Sequence, residues 1–175
     1  MTLGQANPMR ATILCPGPSL SAYKPEDRGP MVLAVNRAAL AHACDWWVAL
    51  DYPMIRDNVA KVDAAIVTRR QTHIDLKGRI DARRVVHTED IGATIDPALG
   101  WTTYSHTSAI AFAYWYGMSG ADVYGADMAG VTDFDGVAAG ENRSDDRWSI
   151  ERGILAVLLP WLNQRHFTVK YHGHF

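Results

Sequence analysis

The sequence predicts an α/β protein: a single domain built on a mostly parallel sheet with helices on both faces. Three observations carry that expectation. Residues 12–15, 31–35, 45–50 and 64–67 are short, largely apolar runs, as strands buried on both faces must be. Helix-like stretches alternate with them, the pattern of parallel strands joined by crossovers. The early runs stop at a glycine, a proline or a polar residue, and in such sheets ligands bind beyond the carboxyl ends of the strands.

Composition narrows the class. With 175 residues, 48% of them apolar and 21% charged, the chain can bury one full core and has the balance of a soluble globular protein. A formal charge of −2 offers no basic footprint for duplex nucleic acid. Cys15 and Cys44 stand in no CxxC or metal-ligand spacing and read as free thiols of a reducing compartment. Residues 1–10 are polar and small, a loose lead-in without the apolar centre of a secretory signal. Residues 109–116 and 154–162 are too short for the ~20 residues of a membrane span. The expected location is the cytoplasm.

Taken in order, residues 12–15 form the first strand, and Pro16-Gly17-Pro18 breaks it. Residues 20–30, charged and holding Pro25 and Gly29, read as a short helix or loop. Residues 31–35 make a second strand ending at Asn36-Arg37, and 38–43 a short helix. The third strand, 45–50, ends at Asp51; Pro53 opens a helix to about residue 62, and 64–67 is the fourth strand. Residues 84–87 form another short strand, and 92–101 a loop. Ser105 or Thr107 caps a helix running to Met118, apolar almost all round and therefore buried. Residues 121–125 form a strand ending at Asp127, and the polar, acidic stretch 128–147 is long enough for a functional loop. A helix over 148–159, capped near Asp146 and stopped or kinked at Pro160, precedes a final strand at 167–171.

The chemistry-bearing residues gather at strand ends: Gly17 and Ser19, Asn36 and Arg37, Asp51, and Asp127. In the first turn, Gly17 permits close backbone approach, prolines stiffen the loop, and Ser19 can cap a helix or bind a phosphate oxygen. A tight turn with no ligand would carry the same residues. A nicotinamide site is disfavoured because Pro16-Gly17-Pro18-Ser19 is not GxGxxG and the second strand ends in Asn36 instead of an acid. Neither a P-loop nor GxSxG occurs. Asp133-Phe134-Asp135 is a DxD, a spacing able to hold a divalent cation such as Mg²⁺. His106 would be a base if it lay near Asp127, although a helix-start histidine is more often a capping partner. Trp101 and Trp148 flank variable loops and are candidates for stacking on a base or sugar, the other tryptophans being core. Glu151 reads as a surface ion pair with a neighbouring arginine, and His172 and His174 as a frayed tail.

Cys15-Pro-Gly-Pro-Ser-Leu20, Val35-Asn36-Arg37, Ser105-His-Thr-Ser-Ala-Ile110 and Tyr124-Gly-Ala-Asp-Met128 together resemble two groups. One is the Rossmann-like bacterial sialyltransferase family; the other is the 6-hydroxymethylpterin pyrophosphokinase-like family. The resemblance spans residues 12–130 and implies a Rossmann-like nucleotide site. By it, Gly17, Pro18 and Ser19 hold a nucleotide phosphate and Asn36 a phosphate or sugar. Ser105, Thr107 and Ser108 receive a second anionic group at a helix N-terminus, and Asp127 binds ribose or a metal. The sialyltransferases also use a base histidine and paired tyrosines late in the chain. Here no histidine lies between His106 and His166, and residues 128–147 hold no tyrosine. The expected function is transfer from a nucleotide or nucleotide-sugar donor, most simply glycosyl transfer. A Mg²⁺-dependent diphosphotransferase using Asp127, Asp133 or Asp135 is the alternative enzyme. A non-catalytic binding module of phage or mobile-element origin is the alternative class.

Overall fold

The computed structural model describes residues 9–80, 83–130, 132–136 and 145–173. Glu141, His174 and residues 1–8 of the lead-in lie outside them. Among the described residues seven strands form one sheet: β1 (Arg10–Leu14), β2 (Val32–Val35), β3 (Trp46–Val48), β4 (Ala65–Thr68), β5 (Val85–His87), β6 (Gly120–Tyr124) and β7 (Thr168–His172). Every neighbouring pair is parallel, and the order is β5-β4-β3-β2-β1-β6-β7. The chain therefore builds outward from β1 to β5, then returns to lay β6 against the other side of β1. That reversal leaves a crevice above the carboxyl ends of β1 and β6, where open α/β sheets bind ligands.

The pleat explains why these strands look apolar without alternation. Ile13, Cys15, Leu33, Val35, Trp46 and Val48 share a core cluster with residues of α4 (Ser105–Trp115) and α5 (Asp145–Asn163). Their neighbours Leu14, Val32, Ala34, Trp47, Ala49 and Ile66 pack in a second cluster. That second cluster includes Ile55 of α1 (Tyr52–Asn58) and Leu76 at the end of α2 (Arg70–Asp75). Successive side chains of a strand point to opposite faces, so helices on both sides demand apolar residues at every position.

Helix α4 is buried from Ser105 through Ala113. It contacts β1, β2, β3 and β6 on one side, and α5 and α3 (Thr88–Ile91) on the others. It begins at Ser105, follows Tyr104 without a side-chain cap, and ends at Trp115, short of Met118. Residues 20–30 hold no α-helix; Pro18–Ala22 and Pro25–Asp27 are 3-10 turns, each started by a proline whose fixed φ suits that position. The stretch beyond β2 is likewise a 3-10 turn, Asn36–Leu40. Pro160 was expected to stop or kink α5; it does not stop the helix, which continues to Asn163. Leu155, Leu158 and Leu162 are buried on both sides of the proline, so packing outweighs the ~3 kcal/mol preference against it.

Both termini of the described chain are tied in. Arg10, expected to be loose, opens β1; its guanidinium donates to the Asp122 carboxylate at 2.6 Å and to the Ala121 carbonyl. His172, expected in a frayed tail, is the last residue of β7, 2.9 Å from the same Asp122 carboxylate and stacked on Tyr124. Cys15 and Cys44 are not joined in a disulfide.

Candidate functional site

A cavity of about 630 Å³ opens above the carboxyl ends of the central strands. Four strand ends supply its wall: Cys15 to Gly17 after β1, Asn36 and Arg37 after β2, Leu50 and Asp51 after β3, and Gly125 to Met128 after β6. The first turn of α4, through Ser105 and His106, and Arg147, Trp148 and Glu151 of α5 complete it. Its size falls in the range of small-ligand sites. Asn36 and Met128, both on this wall, have left-handed φ of 48° and 44°. Asparagine tolerates that region, but for a buried methionine it is costly, and such strain collects at functional sites.

The loops after β1 and β6 are joined to one another. Gly17 donates its N–H to the Gly125 carbonyl at 2.8 Å, and Ser19 donates its N–H to Asp127 Oδ2 at 2.9 Å. A Cβ on Gly17 would run into that carbonyl oxygen and that carboxylate; one on Gly125, at φ 73°, would strike the Cys15 carbonyl. These glycines are therefore required by the contact between two loops. The same hydrogen bonds occupy the N–H groups the sequence suggested for a phosphate, since Pro16 and Pro18 have none to offer. Gly17 and Asp127 remain on the cavity wall; Pro18 and Ser19 do not, and Ser19 faces Gly173.

Asn36, Ser105 and β3 meet at one corner. Ser105 Oγ donates to Asn36 Oδ1 at 3.3 Å and accepts from the Leu50 N–H at 3.4 Å, while Trp47 Nε1 donates to the Asn36 carbonyl. Thr107 and Ser108 are turned away: both hydroxyls donate to the Trp101 carbonyl, and both side chains are fully buried. Trp101 is 0% exposed, with its indole N–H shared between the Ile95 and Asp96 carbonyls, so it belongs to the core and cannot stack on a ligand. Trp148 lines the cavity, with the Arg147 guanidinium lying over its ring and that of Tyr104.

The two acids of the DxD converge on a guanidinium. Arg37 Nη1 donates to Asp133 Oδ2 at 2.9 Å and Nη2 to Asp135 Oδ2 at 2.5 Å. Asp133 is almost wholly buried. A divalent cation there would have to displace Arg37, and among the described residues no cluster of three metal-ligating side chains occurs.

Glu151 overturns its expected place on the surface. It is 2% exposed, and its Oε1 lies 2.9 Å from His106 Nδ1. His106, 6% exposed, has Tyr171 Oη 3.3 Å from its Nε2. Burial, and next the neighbouring charges of Cys15 and Glu151, hold the Tyr171 phenol far above its ordinary pKa. The phenol stays protonated, and the two ring nitrogens of His106 face a hydroxyl on one side and a carboxylate on the other. The second carboxylate oxygen, Glu151 Oε2, is buried with no hydrogen-bond partner among the described residues. His106 thus pairs with Glu151 and Tyr171, and not with Asp127. Sequence reading missed Glu151 because nothing local distinguishes it from any exposed helical acid; only the docking of α5 on α4 brings it to His106.

No family model matches the chain, and no curated protein matches it. Solved structures do. A sialyltransferase CstII from Campylobacter jejuni, in complex with the substrate analogue CMP-3FNeuAc, matches with a TM-score of 0.55 at 10% identity, over 92% of this chain and 80% of that one. The same enzyme with a trisaccharide acceptor and CMP gives 0.51 at 11% identity, over 91% and 80%. A tyrosine-to-phenylalanine variant with CMP gives 0.51 at 10%, with the same coverage. None of the three supports the pyrophosphokinase-like expectation. At this identity the likeness is one of architecture: the chain has the α/β fold of these sialyltransferases.

Proposed function

We propose that the protein is a nucleotide-sugar-binding transferase that moves a glycosyl group from a nucleotide donor to a hydroxyl acceptor. The observation that carries this reading is the cavity at the reversal of strand order, walled by four strand ends and the start of α4. Structural neighbours at 10–11% identity that bind CMP or a CMP-sugar analogue support the same class of ligand. In this reading the donor phosphate lies at the N-terminus of α4, where the first-turn N–H groups lack intrahelical partners and the dipole favours an anion. Arg37 and Asn36 flank it, and Asp51 and Asp127 take hydroxyls of the ribose or sugar. Gly17 shapes the floor. Pro18 and Ser19 act through the loop they stiffen, and Thr107 and Ser108 by fixing the first turn of α4 to residue 101. Trp148 offers its face to the base or sugar. Asp133 and Asp135 hold Arg37 in place.

The test is thermal denaturation with CMP, CDP, UDP, GDP, AMP and ATP, each with and without Mg²⁺. A nucleotide at 100 times its Kd stabilises by about 2.7 kcal/mol. One nucleotide is expected to raise the Tm of the wild type and not of Asn36→Ala, with no need for Mg²⁺. A Mg²⁺ requirement would favour the diphosphotransferase instead, and no shift with any nucleotide would end the transferase reading.

A further inference from the structure

The cavity wall includes Glu151, one of whose carboxylate oxygens has no hydrogen-bond partner among the described residues. Glu151 is 2% exposed, one oxygen is taken by His106 Nδ1, and Oε2 has no donor. Proteins seldom leave a buried polar atom unpaired without use for it. His106 Nδ1 lies against Oε1 and its Nε2 against the Tyr171 hydroxyl. A ligand seated in the cavity against Glu151 can supply the missing donor.

We propose that Glu151 is the catalytic base of the transfer, with His106 as the positioning residue that fixes the carboxylate. This rests on the transferase reading above. The acceptor is a compound presenting a neutral hydroxyl, such as a sugar, and that O–H donates to Glu151 Oε2 in the bound complex. As the reaction proceeds, the acceptor oxygen forms a bond to the anomeric carbon. The bond from that carbon to the phosphate oxygen breaks, and its electron pair leaves with the nucleotide. The acceptor proton passes to Oε2. Tyr171 and His106 keep their hydrogen bonds throughout, so the carboxylate meets the acceptor in one orientation. Histidine 106 is in this account one step behind the chemistry, whereas the sequence had suggested it as the base.

The experiment uses the full-length protein with CMP-N-acetylneuraminate, UDP-glucose and GDP-mannose as donors, and water or lactose as acceptor. Nucleotide release and nucleotide affinity are measured on the same samples. Glu151→Gln keeps the shape and the His106 contact but cannot take a proton. It is expected to bind nucleotide within about threefold of wild type and to lose at least about 100-fold in release. Release within tenfold of wild type overturns the assignment. Tyr171→Phe is the second variant, useful if Glu151→Gln does not fold: it frees the ring without touching the carboxylate. Its loss is expected to be clearly smaller than 100-fold, and a loss as large would move the chemistry to the His106 ring and overturn the proposal. A wild type that binds nucleotide but releases none from any donor also overturns it, leaving nucleotide binding intact. A wild type that binds no nucleotide sinks the transferase reading itself.

Discussion

At the scale of single residues, burial and pairing set the chemistry. Burial pushes the Cys44 thiol up to about 11, against a smaller opposing hydrogen bond from the Ala34 backbone. At pH 8 only about 0.1% of such a thiol is thiolate, against roughly a quarter for a free one. Folded protein should therefore react with iodoacetamide at Cys44 far more slowly than protein in urea; equal rates would contradict the burial argument. Asp122 shows the opposite sign. Burial opposes its charge, but hydrogen bonds from His172 and Arg10 and the Arg10 charge outweigh it and hold the carboxyl below its ordinary value. Its contribution is thus complete above the unfolded pKa, about 3.9, and is lost as pH falls through the lower folded value. Urea midpoints between pH 2 and 7 should show a shallower acid limb for Asp122→Asn than for wild type. Of the strand-end residues, Gly17, Asn36, Arg37, Asp51 and Asp127 line the cavity and Ser19 does not; periodicity locates an end, and a polar residue there stands out. Glu151 and Trp101 were misplaced because exposure of a lone helical or loop residue depends on which element covers it.

At the scale of elements, α4 and the two joined loops do most to shape the site. Phe112 lies on α4 with its ring against Trp46, Trp115 and Tyr116, at centroid distances of 4.7, 5.7 and 5.5 Å. Phe112→Ala should cost about 3–5 kcal/mol, read as a fall in urea midpoint at unchanged m-value. Asp127→Ala should cost about 1–3 kcal/mol by stranding the Ser19 N–H, and should weaken nucleotide binding as well. A change in binding without any loss of stability would argue against the loop contact. The strands were legible because burial on both faces makes the whole run apolar. The 3-10 turns and the persistence of α5 through Pro160 were not, since local propensity predicts the opposite and only packing reverses it.

At the scale of the whole molecule, the order of strands decides both stability and location of function. β1, β2 and β3 lie inside the sheet, and β2 is buried at every residue, whereas edge strand β5 is only half-buried and edge strand β7 alternates with exposed residues. Amide hydrogen exchange should be slowest in β1 to β3 and fastest in β5 and β7. Protection spread evenly over the sheet would mean that it opens only as a unit. Sequence foretold a parallel sheet but not its order, because strand pairing depends on how far each crossover reaches, which no local pattern records. Among the described residues no helix is long and apolar enough to cross a membrane.

The fit between the loops after β1 and β6 has a consequence for how the sequence can change. Gly17 leaves no room for a side chain beside Asp127 and Gly125, Gly125 none beside Cys15, and Asp127 is held by Ser19. Under mutation these positions behave as one inherited character. In a library that begins from Gly17→Ala, compensating changes should accumulate first at Asp127 and Gly125, far away in the chain and adjacent in space, and drift at any one of them is constrained by the others.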